Sequence, residues 1–476
     1  MEILDWLIVI GYFALIGLIG YQTSRRIKNV KDYNVAGEKV TWTVLFASLS
    51  ASVLGGGAST GMAGNVYNDG YVFMFAFFAY GIASILVGYF IAPRLKAYKG
   101  AQTVGDIMER HYGKSAKLIT GILSVGLCTG ILGGQALALG TMFNVILGIP
   151  PVVGILIGMG SVIVYTAFGG IMAVIHTDNL QFILLGVILP LTLIIGLFSV
   201  GGTDILVANI PDLHFTLFGN WEIATFIGLF VTFLLGEALI PPYTQRVFSA
   251  KDSKTARKGY IISGFFSFGF FFITASLGLI AFVLFPGIQS DQALPTIVKE
   301  LLPVGVLGLA IAALMAVIMS TASSFLNSTT VSFMRDIYPF ITRKKQSDKH
   351  ELFTGRVLTI IVGIAALIFA LNVPSIIAAL EYSYYLWAPT IVFPLVMGIM
   401  RKIHNPKAGI YSIIVGMAIT LIWTFPLQEP FGLSGVLPGF IANIITYMTI
   451  YLLTKNNNVV DLTNTVDKGM LMNDIV

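Results

Sequence analysis

The chain has 476 residues, 56% of them hydrophobic and only 11% charged, with a formal net charge of +5 and a mean hydropathy of +0.86. Soluble globular proteins carry about 25% charged residues, so this composition describes a polytopic membrane protein rather than a soluble domain. The single Cys128 excludes an intrachain disulfide framework and a cysteine-rich metal site.

The first apolar run, "LDWLIVIGYFALIGLIGY", follows an acidic residue and has no small-residue cleavage site after it, so it reads as a retained span and not a signal peptide. Hydropathy with turn and charge breaks predicts thirteen helices, near 4–23, 42–66, 71–93, 117–147, 150–168, 178–200, 222–245, 258–285, 303–334, 356–371, 375–400, 408–426 and 435–454. With the N-terminus outside, the inner segments 24–41, 94–117, 169–177, 246–258, 335–356 and 401–407 and the C-terminal tail hold 27 of the 28 Lys and Arg residues, leaving only Lys299 outside. The positive-inside rule therefore predicts an outer N-terminus and a cytoplasmic C-terminus in a plasma or inner cell membrane. The positive charge is topological, and no nucleic-acid partner is expected.

Two spans read as interrupted. The second contains "SVLGGGASTG", with Gly55, Gly56 and Gly57 in series, and the seventh contains "LLGEALIPPYTQR", with Glu237 followed by Pro241 and Pro242. Close helix packing is the competing reading of glycines, and it suits Gly130 and Gly134. The two interruptions lie five spans apart, as in an inverted repeat whose first helices are both broken, which is where transporters place their binding sites. The expected organisation is an extra N-terminal helix and inner loop (1–41), two repeat halves (42–200 and 201–400), two C-terminal helices (401–455) and a cytoplasmic tail (456–476).

Enzyme signatures are missing: there is no HExxH, no P-loop and no nucleophile elbow. The stretch "AVIMSTASSFLNS", residues 316–328, instead concentrates hydroxyls in an apolar helix. Val317, Ser320, Thr321 and Ser324 share one helical face, with Ser323 at its border. Sodium is a hard cation that takes several oxygens, and neutral hydroxyls and freed carbonyls would hold it weakly enough to release it each cycle. The competing reading is that each hydroxyl bonds back to its own helix. In "YTAFGGIMAVIHTDNLQF", residues 165–182, Asp178 and Gln181 fit a capping box at the start of the sixth span. A carboxylate there could also face the hydroxyl helix.

Three motifs then carry a resemblance. "GGIMAVIHTDNLQ", "AALMAVIMSTASSFLNSTTVSFMRDIY" and "PPYTQRVFSAKDSKTARKGY" resemble the fifth core helix, the eighth core helix and the loop after the sixth in the sodium:solute symporter family, and the likeness runs from about residue 5 to 455. It implies an all-α LeuT-type fold, a five-helix inverted repeat with one extra N-terminal helix. It also implies Na+ as the coupling ion, held by the carbonyls of Ala51, Leu54 and Val317 and the hydroxyls of Ser320 and Thr321. Some members have a second sodium site, whose counterparts here are Asp178, Ser320, Ser323 and Ser324. One sodium with a structural Asp178 and two sodium ions per cycle both stay open.

The loops "GNVYNDGY" and "RHYGK" most resemble the choline-transporter branch, whose aromatic cage would fall on Ser52, about Ile131, and Ile240, none of them aromatic. Candidate substrate residues are Ser52, Ala58, Gln135, Glu237, Ile240, Glu381 and Tyr385, with the two acids functional by default inside a membrane. No Lys or Arg falls in the predicted membrane interior, which favours an amine-bearing, zwitterionic or neutral polar solute over an anion. The expected function is sodium-coupled import of a small organic solute by alternating access. The alternatives are a sodium-independent or proton-coupled transporter of the same fold, and a solute-gated channel or receptor. The sequence does not give the oligomeric state; a monomer is one option.

Overall fold

A chain in lipid has to satisfy its own backbone, so it stays helical except where protein covers the break. In the computed structural model, which describes residues 2–237, 239–342, 347–372, 375–401 and 404–454, almost every element is a helix. The predicted tail 456–476 lies outside the described residues. The principal helices are α1 (Ile3–Ser24), α2 (Trp42–Val53), α3 (Met62–Asp69), α4 (Val72–Lys96), α5 (Lys114–Leu147), α6 (Pro151–Val200), α7 (Ile223–Gly236), α8 (Pro241–Ser249), α9 (Ser253–Leu284), α10 (Val306–Ser332), α11 (Asp348–Ala370), α12 (Ile376–Tyr384), α13 (Val392–Arg401), α14 (Pro406–Thr424) and α15 (Val436–Leu453). Among the described residues ten helical stretches are long and apolar enough to cross a membrane, and the bent pair α2–α3 makes an eleventh.

Both predicted interruptions are present. After α2 the chain leaves the α-helical path at Leu54, turns helical again at Gly57 and runs into α3, the stretch Gly57–Asp69 lying at 59° to α2. The three glycines permit the close approach this needs. A Cβ on Gly55 would lie 2.4 Å from Thr321 Oγ1, one on Gly56 2.6 Å from Ala138 Cβ, and one on Gly57 2.4 Å from Leu380 Cδ1. The second break separates α7 from α8: Leu239 holds φ at +60°, and Pro241 and Pro242 occupy the first turn of α8.

The predicted spans 150–168 and 178–200 run as one helical stretch, α6, broken at Gly170 (φ 51°, ψ −155°), where a Cβ would sit 2.6 Å from the Tyr33 carbonyl oxygen. Residues 171–177 therefore continue the helix that holds Asp178. The predicted capping box is not formed, because Asp178 lies within the helix and Gln181 donates to the Tyr12 hydroxyl at 3.0 Å.

Helix α10 is the axis of the molecule, with 89% of its apolar window buried, and it packs on α6, α5, α1, α11, α8 and α2. The segments flanking the two broken helices meet in a single parallel bridge. Val40, just before α2, accepts from Lys251 at 3.0 Å and donates to Ser249 at 3.1 Å.

Candidate functional site

The hydroxyls of α10 divide into two groups. Ser323 and Ser324 return to the Ser320 carbonyl, Thr329 to Phe325 and Thr330 to Leu326, as hydroxyls in a buried helix commonly do. Ser320, Thr321 and Ser328 reach other helices, Ser328 Oγ donating to Gln245 Oε1 of α8 at 2.6 Å. Thr321 Oγ1 donates to the Ser52 carbonyl of α2 at 2.7 Å, and Ser320 Oγ donates to Asp178 Oδ1 of α6 at 2.5 Å. Each proton is thus given to a protein acceptor, which leaves the oxygen lone pairs available to a cation.

Opposite them stands the break of α2. Leu54 N–H donates to Ser50, Gly56 N–H to Gln135 Oε1 at 2.7 Å, Ser59 N–H to Gly55 and Gly61 N–H to Gly56. Among the described residues no hydrogen-bond donor reaches the carbonyls of Ala51 or Leu54. Ala51, Leu54, Val317, Ser320 and Thr321 are all buried at this junction of α2 and α10. The two carbonyls without donors at the break of α2 and the two hydroxyls with committed protons on the facing helix are neutral oxygens of the kind a monovalent cation accepts.

The expectation of an interior without basic residues is corrected at Arg246. The predicted inner segment began there, but α8 restarts only at Pro241, so Arg246 lies one turn into a buried helix and is 0% exposed. Its Nη2 lies 2.8 Å from Asp178 Oδ2, 2.5 Å from Ser52 Oγ and 2.6 Å from Ser324 Oγ. Its Nε donates to Ser48 at 2.8 Å and its Nη1 to the Pro242 carbonyl at 3.0 Å. Ser48 Oγ also donates to Asp178 Oδ2 at 2.5 Å. Both carboxylate oxygens are therefore occupied. Of the set Asp178, Ser320, Ser323 and Ser324, Asp178 and Ser324 meet the guanidinium, Ser320 donates to the far oxygen of Asp178, and the hydroxyl proton of Ser323 stays on its own helix. The double proline was the sequence signal for Arg246, since it marks how late the helix resumes.

The candidate substrate residues fall into three groups. Ser52 belongs to the ion-pair network, Gln135 pins the Gly56 amide, and Ala58 accepts from Thr274 at 3.1 Å, all around the first break. Glu237 and Ile240 lie at the second break, where the Tyr384 hydroxyl donates to Glu237 Oε1 and Ile240 O takes the amides of Tyr243 and Thr244. Tyr385 donates to Glu429 at 2.8 Å, and Glu381, on α12, faces the charge of that same Glu429. Sequence reasoning did not find Tyr80, Tyr243 and Tyr384 around Glu237, because helix positions so far apart in the chain carry no local signal.

A model of the sodium:solute symporter family matches residues 33–416. A high-affinity proline transporter of Bacillus subtilis is 29% identical over 465 residues, covering 92% of this chain and 96% of its own. A sodium/glucose cotransporter of Vibrio parahaemolyticus is 28% identical over 476 residues, covering 90% and 87%. Among solved structures, a Na+-coupled sialic acid symporter in a substrate-bound outward-open state has a TM-score of 0.82 at 22% identity, covering 95% of this chain and 98% of that one. The nucleobase-cation-symport-1 family transporter Mhp1 has a TM-score of 0.60 at 14% identity, covering 90% and 96%. These likenesses establish the LeuT-type fold. With a family match over most of its length and a broken helix facing paired hydroxyls, the chain belongs to the sodium:solute symporter family, as a multi-pass membrane transporter coupled to Na+ and not an enzyme.

Proposed function

We propose that the protein imports a small polar organic solute with one sodium ion per cycle. The ion is held by the carbonyls of Ala51, Leu54 and Val317 and the hydroxyls of Ser320 and Thr321. The observation that carries this reading is the Thr321–Ser52 contact at 2.7 Å, which sets the hydroxyl face of α10 directly against the break of α2. Residues 42–200 and 201–400 act as the two halves that rock against each other. The N-terminus lies outside, as the distribution of basic residues favours.

The sodium count rests on Arg246. A second sodium at Asp178, Ser320, Ser323 and Ser324 would have to enter where a guanidinium already lies 2.8 Å from the carboxylate. Asp178 then acts as the anchor of a permanent cation. Sodium at the main site joins α2 to α10 and favours the substrate-competent state through its differential affinity for the two states. Its loss to a sodium-poor cytoplasm releases that tie, and the solute leaves.

Thermal stability of the purified protein in sodium against potassium tests the site. Sodium at 100 times its dissociation constant should add about 2.7 kcal/mol. The Ser320→Ala, Thr321→Ala double variant should lose this sodium-specific shift, and a shift of full size in that variant would show that the ion binds elsewhere. The one-ion reading requires a sodium titration of wild type with a Hill slope of about 1; a steeper slope would count against it.

A further inference from the structure

Each of the two helix breaks has an acid beside it, and of these two only Asp178 has a cation. Asp178 is matched by Arg246 and by donated hydroxyl protons on both of its oxygens. Glu237, at the end of α7, receives the Tyr384 hydroxyl on Oε1 and has the Tyr243 hydroxyl beside its carboxylate, while its Oε2 is shielded from solvent and lies within hydrogen-bond distance of no donor among the described residues. A carboxylate oxygen left unpaired at membrane depth is costly and marks a place where a positive partner arrives.

The surroundings select that partner. Tyr80, Tyr243 and Tyr384 all lie within electrostatic reach of Glu237. The rings of Tyr80 and Tyr243 are 6.2 Å apart, and Phe325 lies 6.4 Å beyond Tyr243. Aromatic faces attract an organic ammonium, whereas a metal ion would want several oxygens at once. Among the described residues no group of three His, Cys, Asp or Glu side chains could hold a metal.

An anionic group finds no welcome at the same break. The first two residues of α8 are Pro241 and Pro242, which have no N–H to offer. The next two amides, of Tyr243 and Thr244, both donate to the Ile240 carbonyl at 3.1 Å. Arg246, one turn further, is committed to Asp178.

We infer that the transported solute carries a cationic amine nitrogen, which pairs with Glu237 Oε2 among the rings of Tyr80, Tyr243 and Tyr384. This deepens the proposed symport and rests on it.

The test is a thermal-shift series on the full chain in saturating sodium. The probes are choline, ethanolamine and pyrrolidine, each set against an uncharged isostere, with glucose and lactate as neutral and anionic controls. An amine should raise the melting temperature only in sodium, and its uncharged isostere should not. Glu237→Gln should weaken the amine's apparent affinity by at least about tenfold, as removal of one partner of a buried charge pair does, while the shift from sodium alone persists. Stabilisation by a neutral or anionic solute that survives in Glu237→Gln overturns the inference, and so does the absence of any amine-specific shift. Stabilisation by acid alone, lost in Glu237→Gln with no amine response, would mean that the carboxylate takes a proton instead. If the variant does not fold, the isostere comparison on wild type decides. Failure of the symport reading shows separately, as a wild type that does not respond to sodium.

Discussion

Replacing Arg246 with Met should be among the most damaging single changes in this protein, and a second change should repair it. At 2.8 Å from Asp178, with an effective dielectric near 20, the Coulomb attraction is about 6 kcal/mol. Much of that offsets the cost of burying both charges, so the pair's net contribution is far smaller. Removing one partner is another matter. Asp178 would be left charged and buried, and Ser48, Ser52 and Ser324 would each lose the bond they now make to the guanidinium. The expected loss is about 3–5 kcal/mol, and Asp178→Asn alone should cost a similar amount by stranding the arginine. The double variant Asp178→Asn, Arg246→Met removes both charges and should recover most of that loss, giving a coupling of at least about 2 kcal/mol. Unfolding midpoints in sodium-free detergent, measured for all four proteins, provide the cycle. Additive losses, with the double variant as unstable as the sum of the singles, would refute the claim that Asp178 serves Arg246. Sodium titration of the double variant should keep its unit slope. A slope that falls from two to one would reinstate Asp178 as a sodium ligand.

Gln135→Leu strands the Gly56 amide and should cost about 1–3 kcal/mol, with a weaker sodium response in the thermal-shift titration because the break loses its brace. At Gly278 a Cβ would lie 2.3 Å from the Ala63 carbonyl oxygen, so Gly278→Val should separate α9 from α3 and cost about 3 kcal/mol or abolish the monodisperse peak in size exclusion. Before α2, burial pushes the Glu38 carboxyl up, but its hydrogen bonds and charge pairing with Lys31 and Lys96 outweigh this and hold it below the usual range. A depressed folded-state value stabilises above the ordinary glutamate range and is lost as the pH falls below it. Wild type should therefore lose stability in acid more steeply than Glu38→Gln, as melting curves across the acidic range would show.

The features legible in the sequence were those written in local chemistry. Gly55, Gly56 and Gly57 announced the first break because only residues without a Cβ tolerate the approach of Thr321, Ala138 and Leu380. Pro241 and Pro242 announced the second because proline cannot continue a helix that needs its N–H. The hydroxyl face of α10 was visible as helical periodicity. What stayed hidden depended on pairings across the fold. Asp178 matched a capping box perfectly well, and only the continuation of α6 from Gly170 through residues 171–177 places it inside a helix. Arg246 was assigned to an inner loop because basic residues normally end a span. The partner that justifies burying it is 68 positions away in the chain. Nor could periodicity say which hydroxyls turn back and which reach out, since Ser323 and Ser320 differ only in what stands opposite them.

The same contacts explain how an ion at one junction can govern the whole bundle. Helices α2 and α8 are fastened to each other along one side. The Val40–Ala250 bridge joins their flanks, Lys96 spans Glu38 and the Phe248 carbonyl, and Arg246 of α8 donates to Ser48 and Ser52 of α2. That pair meets α10 through few polar points: Thr321 on the Ser52 carbonyl, Ser324 on Ser52 and Arg246, and Ser328 on Gln245. Asp178 reaches both sides at once, holding Arg246 through one oxygen and Ser320 through the other. A sodium ion at Ser320 and Thr321 would therefore add its ligand bonds at the very seam where the α2–α8 unit touches the axis. Losing it would leave that seam with neutral hydroxyl contacts, each worth about 1 kcal/mol, the Ser324–Arg246 bond and the shared ion pair. Because Asp178 sits on α6 and Arg246 on α8, the ion pair itself crosses the seam and ties the unit to the axis whether or not sodium is bound. This gives a permanent internal cation a use that a second exchangeable sodium would not serve.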